Sequence, residues 1–274
     1  MDDVRLWART GAALVSLLLV AGCQDTGHRP APRRGVLLGD LTWQEAEKVL
    51  TPASVVVIPI GAEAKEHGPH LRLRNDWLMA EYLKDRVLEA SDVIVAPTVN
   101  YHFYPAFVDY PGSTTLRLET ARDLVVDICR SLAHYGPRRF YALNTGVSTV
   151  RALAPAAEIL AGEGIVLRYT NMLTIEKDVE DRVAKEEGGT HADEIETSMM
   201  LYIAPASVDM RKAVKDYHPG ESPLTRVPAG NRLYSPSGVF GDATLATREK
   251  GRELVEALVA RLLGEIEDLR NVRP

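Results

Sequence analysis

Cysteine is scarce in this chain, with two in 274 residues. If Cys23 is used as proposed below, Cys129 is left alone and no intramolecular disulfide can form. Cys129 falls in the apolar stretch Leu124–Cys129 and is expected to be a small core residue. Positive charge is not in excess either. The 32 Lys and Arg are outnumbered by 38 Asp and Glu, giving a formal net charge of −6. That balance lacks the basic footprint of a nucleic-acid-binding surface, so no nucleic-acid partner is expected. The apolar run Gly11–Val20 is too short to span a bilayer. Internal repeats are absent, which excludes a solenoid.

What is present begins with an N-terminal address. Arg5 and Arg9 precede the apolar run, which ends in Ala21-Gly22-Cys23. Basic residues, a short apolar core and small residues at a cleavage site are the parts of a signal peptide. Val20-Ala21-Gly22-Cys23 also resembles a bacterial lipobox, whose Cys is acylated and becomes the first mature residue. The competing reading is an N-terminal helix with Cys23 as a plain thiol. The lipobox reading predicts a signal peptide over 1–22, a lipid-anchored flexible tether over 23–36 and an α/β domain over 37–274. It places the mature protein in the bacterial cell envelope, exported from the cytoplasm and attached to the membrane through Cys23. The Pro-, Gly- and Arg-containing stretch after Cys23 suits a tether.

From Leu37 onward, β-branched runs alternate with helical periodicity. Ser54–Ile60 reads as a strand buried on both faces. Further strands are expected at Val93–Ala96, Phe140–Leu143 and Ile165–Tyr169. Helices are expected over Asp76–Ala90, Thr120–His134 and Val150–Ala161, from near Thr190, and over Thr244–Leu269. Thr42 and Glu45 form a capping box, and Thr190 with Asp193 reads as another. The fold class is therefore α/β, three-layered, with a largely parallel central sheet flanked by helices. Ligands of such sheets gather beyond the carboxyl ends of the strands. The segments opening at Gly61, Pro97, Asn144 and Asn171 are the ones to search for chemistry.

The first of these, Gly61–Asp76, carries Glu63, Glu66, His67, His70 and Asp76 between a buried strand and a helix. Imidazole and carboxylate are the donors suited to Zn, Mn or Fe. A polar surface loop with Asp76 as a helix cap explains the same residues without a metal.

His67-Gly68-Pro69-His70-Leu71, with Asp76 nine residues after His67, resembles the loop of the creatininase family, Gly-x-x-Glu-x-His-Gly-x-His-Leu-Pro followed by Asp. Tyr110-Pro111-Gly112-Ser113, Thr190–Ser198 and Gly238–Asp242 with Ala246-Thr247 resemble further motifs of that family, in the same order. The resemblance implies the creatininase fold, a small-molecule amide substrate and a homo-oligomer, commonly a hexamer. In relatives the loop Glu, its first His and the Asp bind metal, the Asp bridging two ions. Three positions depart from the pattern. Lys65 stands where the ligand Glu is expected, Gly146 where a ligand His is expected, and Arg72 where a Pro is expected. The expected metal set is then His67, Asp76, Glu196 and Glu66 around one ion, with His102 as a further candidate. His191, Glu66 and Lys65 are the expected catalytic residues. The reading that competes with a one-ion amidohydrolase is a small-molecule binding lipoprotein that has lost its metal.

Overall fold

A computed structural model describes residues 33–219, 224–228 and 232–274. The expected signal peptide, Cys23 and most of the expected tether lie outside the described residues. The folded part starts a little earlier than expected. Arg34 and Gly35 already donate backbone hydrogen bonds to Leu88, and β1 (Val36–Leu37) pairs with β3 (Ile94–Val95).

β2 (Val55–Ile60), β4 (Arg139–Asn144) and β5 (Val166–Tyr169) complete a five-stranded parallel sheet of order β1-β3-β2-β4-β5. All six residues of β2 are buried, as its uninterrupted β-branched run requires. Pro59 is tolerated in this central strand because of its side. Ala96, Val99 and Gly61 place the hydrogen bonds of residues 57, 59 and 61 toward the β3 neighbour. The missing N–H therefore falls beyond Val95, where β3 has already ended.

Alternate side chains of the sheet feed two cores. Val55, Val57, Tyr141 and Leu143 pack with α2 (Asn75–Ala90), α6 (Glu194–Ile203) and α7 (Arg248–Arg270). Val56, Ile58, Ile60, Phe140 and Ala142 pack with α3 (Leu118–Ala133) and α4 (Val150–Ala161). This is the three-layer α/β architecture expected from the sequence. α1 (Trp43–Val49) opens on the expected capping box, Thr42 and Glu45 satisfying each other's backbone N–H. Cys129 is fully buried in the second core.

Two expectations are corrected. The helix expected from near Thr190 starts at Glu194, with Asp193 as its N-cap accepting from the Glu196 N–H, so Thr190 forms no capping box with Asp193. Asp76 is not a cap, because α2 begins at Asn75 after an Arg74 that makes no side-chain cap. The short helix α5 (Lys177–Val183) and the two-residue strands β6 to β9 (215–216, 224–225, 233–234 and 241–242) carry too little periodicity to be read from sequence.

The chain runs from β2 to β3 on one side and then returns to β4 on the other. The sheet thus has a topological switch point between β2 and β4, where Ile60 pairs with Asn144. α6 is keyed to α7 at its first turns. Gly251 lies so close to α6 that a Cβ would overlap the Ser198 carbonyl oxygen, and Thr247 N–H donates to Ser198 Oγ at 3.0 Å.

Candidate active site

The loop after β2, the start of α2 and the start of α6 meet beyond the switch point. They bring together Lys65, Glu66, His67, Asp76, His191 and Glu196, all buried except Glu196, which is partly buried. Their contacts form a chain. Lys65 Nζ lies 2.7 Å from Asp76 Oδ2, and His67 Nε2 lies 2.6 Å from Asp76 Oδ1. His67 Nε2 is also 3.3 Å from Glu196 Oε1. His191 Nδ1 is 3.7 Å from Glu196 Oε2, and its Nε2 donates to Glu66 Oε2 at 3.0 Å.

Each side chain is held from behind. Asn75 donates to Glu196 Oε1 at 2.9 Å, and the Ala192 N–H donates to Glu196 Oε2 at 2.7 Å. Ala192 adopts φ +48°, a left-handed conformation costly for a residue with a Cβ, and this aims its N–H at the carboxylate. Glu66 accepts from the Gly68 N–H, and Gly238, at φ +81°, leaves the space its carboxylate fills. Phe107 packs on the His191 ring with centroids 4.1 Å apart. The Lys65 ammonium sits 5.0 Å from the Phe107 centroid and 5.7 Å from that of Tyr104.

The charges lock one another. Burial disfavours the Asp76 carboxylate, but Lys65 and His67 outweigh it and hold the carboxyl below its ordinary range. Glu196 is held well below its usual range by His67, His191 and Lys65, again against burial. Burial and the Lys65 charge push His67 toward neutrality, yet Asp76 and Glu196 prevail and raise it to about 9. The geometry agrees, because His67 Nδ1 faces the Lys65 carbonyl at 2.9 Å and Nε2 faces a carboxylate, so both nitrogens donate.

His67, His191 and Glu196 each offer a donor atom within 4.8 Å of the others, the one such group of three among the described residues. This set overlaps the one expected from sequence without matching it. His191 joins the set, while Asp76 meets the same His67 Nε2 that faces Glu196 but lies outside the 4.8 Å group, and Glu66 is engaged with His191 and Gly68. His102 is not in the cluster. It is fully buried, and burial pushes its imidazole down to about 4. Glu63 is exposed, accepts from Asn100 at 2.8 Å and lines, with Arg72 and Arg74, a separate cleft of about 650 Å³.

The donor chemistry fits a divalent cation. Four buried polar atoms at or beside the cluster lack a hydrogen-bond partner: His70 Nδ1, Asn75 Oδ1, Asp76 Oδ2 and the Tyr104 hydroxyl. Asp76 Oδ2 has only the Lys65 charge, without an aligned hydrogen bond. Buried polar atoms are normally satisfied, and orphans gathered in one place mark a site built for something further. Sequence reasoning missed Asn75, Ala192, Phe107 and Tyr104. Only Asn75 carried a signal, as the polar neighbour of Asp76 at the start of a helix.

An imidazole–carboxylate set beyond the carboxyl edge of a parallel α/β sheet is the arrangement of a metal-dependent hydrolase. The chain belongs to the creatininase family, whose model, described as creatinine amidohydrolase, matches residues 39–266. A creatinine amidohydrolase of Pseudomonas putida is 28% identical over 255 residues, covering 86% of this chain and 97% of its own length. A mycofactocin precursor peptide peptidase of Mycobacterium tuberculosis is 29% identical over 240 residues, covering 83% of this chain and 90% of its own. Among solved structures, a zinc–zinc form of a mutant creatininase superposes with a TM-score of 0.72 at 26% identity, covering 87% of this chain and 99% of its own.

Proposed function

We propose that this protein hydrolyses a non-peptide C–N bond, of cyclic amide or formamide type, at a site holding one divalent ion, zinc, manganese or iron. The observation that carries this reading is the convergence of His67, His191 and Glu196 beside the Lys65–Asp76 pair. When bound, the ion would polarise the amide carbonyl and ease deprotonation of the attacking water. His67, His191 and Glu196 would hold it, and the family's zinc- and manganese-containing structures support that choice of metal. The Nδ1–H to Lys65 carbonyl bond sets the His67 tautomer and leaves Nε2 for an ion, and Asp76 meets the ring at that same Nε2, so its carboxylate would lie on the ion's side of the ring. Glu66 accepts from His191 Nε2 and so orients that ligand, and as the carboxylate that does not hold the ion it would pass a proton to the leaving nitrogen. Lys65 supplies a fixed positive charge on the far side of Asp76.

The zinc content of purified protein tests this reading. One equivalent is expected, and its affinity should rise with pH. His67 binds a proton in the folded chain up to about pH 9, and an ion must displace that proton. Zinc affinity should therefore increase by about tenfold per pH unit between 6 and 8, levelling off near 9. Zinc-free protein with no uptake at pH 8 would instead support a metal-free binding module.

The same reading includes export. Val20-Ala21-Gly22-Cys23 supports a mature protein anchored in the bacterial cell envelope by lipid on Cys23, and family membership supports a homo-oligomer, a hexamer by resemblance. Cys23→Ser should move the protein from the membrane fraction to the soluble one. A mature N-terminus other than Cys23 would contradict it.

A further inference from the structure

Tyr104 is almost wholly buried, and its hydroxyl has no hydrogen-bond partner. It faces two of the positions at which this chain departs from its family. On one side the Lys65 ammonium lies 5.7 Å from its ring centroid. On the other, a Cβ placed on Gly146 would stand 3.2 Å from Tyr104 Cε1 and 3.0 Å from Thr149 Cγ2. The Gly146 backbone cannot withdraw easily. Its N–H donates to Asn144 Oδ1 at 3.1 Å, and its carbonyl accepts from Asn144 Nδ2 at 2.7 Å and Thr149 Oγ1 at 2.5 Å. A side chain at 146 would thus press on this ring and on Thr149, and the same ring borders the Lys65 ammonium that is the sole partner of an Asp76 oxygen.

We propose that Lys65 and Tyr104 act as one unit that fixes the metal stoichiometry of the site, the ammonium supplying the positive charge on the outer side of Asp76 and the phenol ring closing the space a second divalent ion and its ligand would need. The proposal rests on the reading of this cluster as a metal site, and it adds the residue that keeps it mononuclear. Two kinds of repulsion are involved. A second ion beside Lys65 would meet a like charge at a few ångströms. A new ligand at 146 would meet a packed aromatic ring.

The test is zinc stoichiometry by equilibrium dialysis and elemental analysis, read as differences between variants. Lys65→Glu with Gly146→His should bind no more zinc than wild type, because the ring still occupies the space. Adding Tyr104→Ala to that pair should raise the content by one ion per chain, whereas adding Tyr104→Phe, which keeps the ring, should not. A gain in the double variant would remove Tyr104 from the unit, and no gain in a folded triple variant would overturn the proposal. If the triple variant does not fold, wild type decides alone. Two zinc ions per wild-type chain, both lost in Asp76→Asn, would overturn the proposal. A second equivalent that fails to appear with zinc at millimolar excess supports it. Because the variant readout is an increment, a wild type without zinc would sink the hydrolase reading and leave this comparison intact.

Discussion

Glu196→Gln is expected to lower zinc affinity by more than about a hundredfold, while Glu66→Gln, which keeps an acceptor for His191, should cost about tenfold. Losing an outer-shell partner of a metal ligand typically costs 10–100-fold in affinity, and removing a ligand's charge should cost at least as much. Glu196 is the shared neighbour of both imidazoles, 3.3 Å from His67 and 3.7 Å from His191, and it is held ionised by them. Glu66 touches only His191 of that set and is otherwise occupied by the Gly68 N–H. Its loss should appear as a lower kcat with metal in place, because His191 would lose the carboxylate that orients it. Isothermal titration with zinc at pH 8, alongside elemental analysis, separates the two. Equal loss of metal in both variants would mean that Glu66 is a ligand after all.

Glu176→Gln is expected to stabilise the fold at neutral pH by about 3 kcal/mol and to flatten its dependence on pH between about 5 and 8. Glu176 is fully buried at the entrance to α5, and neither carboxylate oxygen has a partner. Burial, with Glu180 and Asp178 adding to it against Arg261, raises its carboxyl to about 8. Below the unfolded value both states carry the proton, so the group contributes nothing. Between that value and about 8 the unfolded chain releases the proton and the folded chain keeps it. Stability is lost progressively across that window, and Gln, which does not titrate, removes the loss. Urea midpoints of both proteins at pH 5, 7 and 8.5 measure it. Parallel curves would show that Glu176 is ionised and satisfied in the folded protein.

The elements legible in the sequence were those with a repeated physical constraint. Val55–Ile60 is a strand because both its faces are covered, and Val150–Ala161 is a helix because one face is. Two-residue strands such as β1 carry no period, so their existence depends on neighbours distant in sequence. The candidate site was legible to the same degree. His67, Asp76, His191 and Glu196 stand in motifs whose spacing survives divergence. The partition of their roles did not, because whether Asp76 or His191 completes the set depends on how α2 and α6 approach. Tyr104 was invisible for a plainer reason. An aromatic residue in an irregular segment is read as core, and only the orphaned hydroxyl and the bare backbone at Gly146 distinguish it.

The close approach of Gly251 to Ser198 has a mechanical consequence. Ser198 is two residues from Glu196 on the same helix, and its hydroxyl, backbone and neighbour Glu194 are all tied to the start of α7, through Thr247, Gly251 and Lys250. The C-terminal helix therefore works as a clamp whose grip sets the depth at which Glu196 enters the site. Loosening that clamp by shortening the chain at its far end would register first as a misplaced carboxylate, well before the sheet itself came apart.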